Sequence, residues 1–336
     1  MSQTFKAYRV AKEGDKVARS VKTMGLDELP RGEVAVRVHY SSLNYKDALS
    51  ASGHPGVTRN FPHTPGIDAA GEVLYSEVLP PSEARFQKGD PVIVTSYDLG
   101  MNTPGGFGQV IRVPAEWVVP LPEGLSLREA MILGTAGFTA ALAAHELLQA
   151  GLEPSSGPVL VTGASGGVGS LAVALLAKLG AEVVASTGKT SAQGFLTSLG
   201  AAHVLDREEL GQATTKPMLP VRWQGAIDTV GGHTLENIVK SLIPGGAVAA
   251  CGNVAGADLH LSVFPFILRG VKLLGIDSAQ CPVERRRAIW EKLAGPWKPE
   301  ALERTATEIG LDGLDGAIEA ILKGEIQGRV LVNLNP

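Results

Sequence analysis

Between Pro158 and Lys189 the chain reads PVLVTGASGGVGSLAVALLAKLGAEVVASTGK, with glycines at 163, 166, 167 and 169 and no charge before Lys178. Few folds accommodate such a run. Val159–Thr162 is short, β-rich and apolar on both faces, as a strand inside a parallel sheet requires. Leu171, Leu175, Leu176 and Leu179 recur at helical spacing, and Gly180 stands where a helix C-terminus favours glycine. The chain is uncharged from Pro154 to Ala177, but Pro158 and the four glycines would open the backbone in hydrocarbon, which argues against a membrane span. Strand, tight turn and helix in succession account for the stretch. The turn, Ala164–Gly169, resembles G-x-G-x-x-G with alanine in first place. Gly166 and Gly167 let backbone amides approach a diphosphate, Gly169 lets the helix pack on the strand, and the helix N-terminus attracts the anion.

The end of the following strand selects the dinucleotide. An NAD site places Asp or Glu there to accept from the ribose 2′-hydroxyl. This chain has Ala185-Ser-Thr-Gly-Lys189 instead. Hydroxyls, a glycine amide and a lysine suit a 2′-phosphate, which a carboxylate would repel. Arg207, after the third strand, is placed to close a forked guanidinium over the same phosphate. NADPH is therefore expected over NADH.

The 336 residues suggest about two domains. Apolar residues make up 44% and charged residues 19%, a globular composition. A net charge of −4 supplies no general attraction for nucleic acid or an anionic membrane. Cys251 and Cys281 lie at no metal-ligand spacing and fit a reducing, cytoplasmic compartment. The start, MSQTFKAYRVAKEGDK, lacks the apolar core of a secretory leader.

Residues 1 to about 125 read as short strands punctuated by Gly and Pro, among them Glu33–Tyr40, Gly71–Leu74, Asp90–Thr95 and Gln109–Val113. Ser126-Leu-Arg-Glu129 has capping-box spacing, and helical periodicity follows through Met131, Thr139, Leu142 and Leu147. Strands and helices then alternate, which implies βαβ units. Strand character returns at Lys272–Asp277 and Arg329–Leu334. The expected organisation is α/β: a Rossmann, doubly wound parallel-sheet domain over 129–269, between two parts (1–128 and 270–336) of a β-rich catalytic domain. Leu259–Val263 reads as an edge strand able to continue a sheet across a homodimer.

Ser41-Ser-Leu-Asn-Tyr-Lys-Asp47, Pro65-Gly-Ile-Asp-Ala-Ala-Gly71, Gly134-Thr-Ala-Gly-Phe-Thr-Ala140, Thr162–Gly169 and Gln327-Gly-Arg329 occur in the order seen in medium-chain dehydrogenases/reductases. With Asn60-Phe-Pro62, Pro265–Arg269 and Gly275–Ser278, the chain resembles the zinc-free, quinone-oxidoreductase-like branch that includes acryloyl-CoA reductases. The resemblance implies a GroES-like catalytic domain beside the Rossmann domain. It also implies a coenzyme lined by Tyr45, Ser165, Gly166, Gly167, Val168, Thr187, Gly188, Lys189, Arg207, Asn253, Ile267, Ser278 and Arg329. Zinc members have Gly-His-Glu where this chain has Gly66-Ile-Asp68, and they carry a four-cysteine lobe not found here. No metal site is therefore expected, and Asp68 reads chiefly as a remnant of the ligand position.

Such a site suits reduction of an activated C=C bond, with hydride passing from NADPH to the β-carbon of an enoyl thioester, ketone or quinone. Tyr45 and Asn44 are the expected catalytic polar groups, as donors to the developing oxyanion or as a proton relay. Arg59 and the run Glu284-Arg-Arg-Arg287 are candidate partners for coenzyme A phosphates. The leading expectation is NADPH-dependent conversion of acryloyl-CoA to propanoyl-CoA. Its alternatives are a quinone or alkenal reductase and, in another class, a non-catalytic NADPH-binding protein.

Overall fold

The computed structural model describes residues 4–14, 16–77 and 85–335. The first elements are β1 (Thr4–Glu13), β2 (Lys16–Gly25), β3 (Val34–Leu43), α1 (Tyr45–Ala51), β4 (Asp68–Ser76), β5 (Pro91–Thr95), β6 (Val110–Val113), β7 (Val118–Pro120) and α2 (Leu127–Gln149). Alternation then sets in with β8 (Pro158–Val161), α3 (Gly167–Lys178), β9 (Glu182–Thr187), α4 (Gln193–Ser198), β10 (His203–Asp206) and α5 (Glu208–Gly211). It continues through β11 (Trp223–Asp228), α6 (Gly232–Ser241), β12 (Leu242–Ala250), α7 (Phe264–Arg269) and β13 (Lys272–Gly275). The chain closes with α8 (Val283–Ala294), β14 (Ala306–Gly310), α9 (Leu314–Leu322) and β15 (Arg329–Asn333).

Two compact units result. The first holds the residues up to Thr135, Ala279–Ala294 and those from Ala306 onward; the second holds Ala136–Ser278 and Gly295–Thr305. In the first, a seven-stranded sheet runs β14-β15-β3-β4-β5-β7 with β6 also on β3, and β1 and β2 form a separate hairpin. Val34, Val36 and Val38 point to one side of β3, where Val92, Val94, Phe107, Ile111, Leu314 and Ile318 join them in the core. This is the period-2 pattern of a strand with one buried face.

The second unit is a six-stranded sheet in the order β10-β9-β8-β11-β12-β13, with every pair parallel. In chain order that is 3-2-1-4-5-6, the doubly wound dinucleotide-binding order. Its topological switch point lies between β8 and β11, and the glycine-rich turn leaves β8 there. All but one of the residues from Gly169 to Leu176 on α3 are apolar, and all are buried, which explains a helix without charge over its first eleven residues.

Three expectations change. Lys272–Gly275 belongs to the parallel sheet rather than to the catalytic domain, because the α7 crossover carries it back onto the open edge of β12. Leu259–Val263 forms no strand; Leu261 packs on the core beneath it and α7 begins at once, so the sheet edge is β13. The helix announced by Ser126 is broken. Ser126 and Glu129 do exchange their capping bonds, backbone N–H to side chain at 2.9 and 3.1 Å, but Gly134 takes φ 52°, ψ −158° within α2. By length and apolarity α2 would cross a bilayer, but its most apolar window is 78% buried in the protein, as befits a core helix.

Candidate active site

In the first unit the polar residues gather around two buried carboxylates. Asp68, at the start of β4, is fully buried. Its Oδ2 accepts from Ser42 Oγ (2.7 Å) and Asn44 Nδ2 (2.8 Å). Thr135 donates to it twice, from its backbone N–H (3.0 Å) and from its hydroxyl to Oδ1 (2.6 Å). Arg329 Nη2 stands 3.8 Å from Oδ2. The break at Gly134 makes this possible. A helix start leaves N–H groups without intrahelical acceptors, and the resumed helix turns such a group at Thr135 onto an anion. A Cβ at Gly134 would lie 2.5 Å from both Asp68 Oδ2 and Ser42 Oγ, so no other residue leaves room for the carboxylate.

Asp47 is the second carboxylate. It occupies N3 of α1 and accepts from the backbone N–H of Asn44 (2.8 Å), the acidic half of a capping box. Its other oxygen accepts from the backbone N–H groups of Gly66 (3.2 Å) and Ile67 (2.8 Å). Burial, and then the neighbouring charge of Asp68, push its carboxyl up to about 7 despite those donors.

Arg329, wholly buried, balances the pair. It donates to the carbonyls of Ile132 (3.1 Å) and Leu43 (3.3 Å), to Asn44 Oδ1 (3.2 Å) and to Ser42 Oγ (2.8 Å). Its guanidinium is thus committed to the carboxylate cluster, which corrects its assignment as a coenzyme contact. Asn44 is likewise an organiser, its amide joining Asp68, Asp47 (3.1 Å) and Arg329. Tyr45, at the first position of α1, is 54% exposed; its phenol is the one expected catalytic group that faces outward. Asp68 is the hub of the cluster. With Ser42, Asn44, Thr135 and Arg329 around it, its oxygens are committed to protein donors. Among the described residues no three His, Cys, Asp or Glu side chains gather as a metal-binding group.

In the second unit the expected coenzyme residues cluster at the C-terminal edge of the parallel sheet. Gly166 is the N-cap of α3, so Gly167, Val168 and Gly169 present the first N–H groups of that helix. A Cβ at Gly169 would strike the Gly163 carbonyl, so glycine is what brings α3 close to the turn. Thr162 and Asp228 tie the turn to β11: the Thr162 hydroxyl donates to Asp228 (2.6 Å) and accepts from the Thr229 N–H (3.1 Å). Burial raises the Asp228 carboxyl. Burial, and after it Asp228, also push the nearby Cys251 thiol up to about 12.

Ser165 Oγ and Thr187 Oγ1 lie 2.9 Å apart, joining the turn to the end of β9, and the Lys189 N–H donates to Thr187 Oγ1 (3.2 Å). Arg207 lies across Gly188: a Cβ there would meet its Nε at 2.5 Å and its Cζ at 2.8 Å. Thr187, Gly188, Lys189 and Arg207 thus form one patch of donors and positive charge, whose chemistry fits a 2′-phosphate. Asn253 is exposed beside Gly231, on the loop after β12. Ser278 accepts from the Thr139 hydroxyl (2.7 Å). Ile267 does not join this polar set; it stands 68% exposed on α7. Of the candidate coenzyme A cations, Arg59 and Arg285 are exposed, whereas Arg286 is fully buried and is withdrawn from that role.

Ser42, Asp47, Gly134 and Thr135 were not singled out from sequence. Asp47 had a readable signal, its capping-box spacing from Asn44. The others join the cluster only through contacts distant in the chain.

Residues 30–123 match the family described as alcohol dehydrogenase GroES-like domain, and residues 167–294 that described as zinc-binding dehydrogenase. The acrylyl-CoA reductase AcuI of Ruegeria pomeroyi is 46% identical over 96% of both chains. The YhdH oxidoreductase of Salmonella enterica, solved in complex with NADP, is 45% identical and superposes with a TM-score of 0.94 over 98% of this chain and all of that one. YhfP of Bacillus subtilis, solved with NAD bound, is 46% identical with a TM-score of 0.95 over 99% of this chain and all of its own; it bears the name of a quinone oxidoreductase.

Two predictions follow from the geometry. Gly188→Ala displaces the Arg207 guanidinium without disturbing β9, so fluorescence titration should show NADPH binding weakened about tenfold, as for loss of one charge-assisted contact, with NADH binding unchanged. Asp47 keeps its proton in the folded state up to about pH 7 but loses it near pH 4 when unfolded. Its contribution to stability is thus fully present below pH 4 and falls as pH rises towards 7, with a slope of about 1.4 kcal/mol per pH unit. Unfolding free energies of wild type and Asp47→Asn, taken from denaturant titrations across that range, should diverge with this slope.

Proposed function

The chain belongs to the medium-chain dehydrogenases/reductases, in the quinone-oxidoreductase-like branch with acrylyl-CoA reductases, and we propose that it reduces the activated C=C bond of acryloyl-CoA with NADPH. The observation that carries the coenzyme half of this reading is the Arg207 guanidinium lying over Gly188 at the end of β9, where an NAD site would carry an acid. The substrate half is supported by the 46% identity to AcuI along nearly the whole of both chains. When bound, NADPH supplies the hydride.

The residues of this chain do the rest. The amides at the start of α3 bind the diphosphate. Thr187, Gly188, Lys189 and Arg207 hold the 2′-phosphate. Asn44 and Asp68, fixed by Thr135 and Arg329, set the start of α1 and with it the outward phenol of Tyr45. Tyr45 donates towards the negative charge that develops on the substrate carbonyl oxygen, a role for which a preset donor is most effective. Asp47, buried at the start of α1, fixes the Asn44 cap and the Gly66–Ile67 backbone behind it. A quinone is the alternative acceptor for the same chemistry, on the strength of the name of YhfP.

We also place the enzyme in the cytoplasm and infer a homodimer. Strand β13 is one of the two edges of the parallel sheet, and Val263, Ile267 and Leu268, in or just before the preceding helix α7, are 64 to 68% exposed. A second copy would cover them and pair the edge.

NADPH oxidation measured side by side with acryloyl-CoA, crotonyl-CoA and a benzoquinone tests the substrate: acryloyl-CoA should give the highest kcat/KM, and a quinone preference would reassign the enzyme. Light scattering at micromolar protein should return twice the chain mass of 35.0 kDa, and Ile267→Asp with Leu268→Asp should return the single mass.

A further inference from the structure

Strand β5 ends in an unusual turn. Ser96 (φ 66°) and Tyr97 (φ 51°) both hold left-handed backbone, and among the described residues they are the only non-glycines with positive φ. Side chains avoid that region, so a residue kept there is held by its surroundings. The surroundings are elaborate. The Tyr97 ring stacks on Trp117 at 5.5 Å with 10° between the planes, and the Arg286 guanidinium carbon lies 4.5 Å from the Tyr97 ring centre. Arg286, buried entire, donates to Thr95 Oγ1 (2.9 Å) and to the Ala279 carbonyl (3.3 Å). Tyr97 donates its hydroxyl to the Cys281 carbonyl (3.1 Å) and its N–H to the Ala279 carbonyl (3.2 Å).

What this bracing delivers is the position of Ser96. Its N–H donates to the Ile67 carbonyl (2.8 Å), and the Ile67 N–H in turn donates to Asp47. Its hydroxyl lies 3.0 Å from Thr135 Oγ1. A hydroxyl has one hydrogen, and that of Thr135 goes to Asp68 Oδ1 at 2.6 Å. Ser96 is therefore the donor of the pair, and a directional chain runs Ser96, Thr135, Asp68. We propose that Ser96 is a positioning residue for the reaction: its hydroxyl holds the Thr135 hydroxyl on Asp68, and the Tyr97–Arg286 stack keeps Ser96 in the strained backbone from which it reaches. This rests on the reading that the Asn44–Asp68 cluster serves catalysis.

The test compares Ser96→Gly, Ser96→Ala, Thr135→Val, Thr135→Ser and the Ser96→Gly/Thr135→Val pair in acryloyl-CoA-dependent NADPH oxidation, with thermal unfolding alongside. Glycine is at home in left-handed backbone, so Ser96→Gly removes the hydroxyl and leaves the turn. The expected result is a Tm at or above that of wild type, a kcat about tenfold lower, as for loss of one hydrogen bond in a linked network, and an unchanged KM for NADPH. Thr135→Ser should retain turnover, and Ser96→Gly should add nothing once Thr135→Val is present. Wild-type kcat in Ser96→Gly, additive losses in the pair, or parallel losses of Tm, coenzyme binding and kcat would each overturn the proposal. Asp68→Asn separates the two readings. If it turns over normally, the cluster has no catalytic part; if it is slow while Ser96→Gly is not, only the role of Ser96 falls.

Discussion

A carboxylate buried without compensation is among the costliest groups a protein can hold, and the first unit is arranged around two of them. Asp68 and Asp47 share one buried cation, Arg329, brought in by β15 from the far end of the chain. The remaining lone pairs meet N–H and O–H donors from β3, α1 and the broken helix α2. Remove the cation and the Asp68 charge is left without its counter-ion, beside a second buried acid. The break in α2, the register of β15 against β3 and the capping of α1 all serve one electrostatic requirement.

The second unit solves a different problem with different means. The edge proposed to hold the coenzyme phosphates needs little buried charge, because its donors are backbone amides at a helix start and its cations sit at the rim. What it needs is closeness, which glycine and the Thr162–Asp228 tie provide. The acid at Asp228 is held by a hydroxyl and by backbone N–H groups of its own loop. It fastens the turn after β8 to β11, whereas Asp68 gathers partners from β3, α2 and β15.

This contrast explains what could be read from the amino-acid order. The proposed coenzyme cradle is local: strand, turn, helix and the next strand end all fall within about thirty residues, and each has a spacing rule. The alternation of strands and helices was legible for the same reason. The carboxylate cluster was not, because Ser42, Asn44, Asp68, Thr135 and Arg329 meet only after the chain has folded, and no periodicity links residue 44 to residue 329. Asn44 and Tyr45 were recognised as polar residues in the right segment, but Asn44 proved to face inward and Tyr45 outward. The strand at 272–275 was visible as a strand, yet nothing in its four residues says which of two sheets it joins. Arg286 read as one of three arginines open to a coenzyme A phosphate, since its burial depends on the aromatic Tyr97 that receives it.

The two cysteines carry a last implication. The acryloyl thioester proposed as substrate is an electrophile that adds to thiolates, so its turnover carries a risk of self-alkylation. Here Cys281 is buried and Cys251 is kept protonated, its thiol held far above neutrality by a desolvated site beside an acid. The fold thereby offers such an electrophile no reactive sulphur.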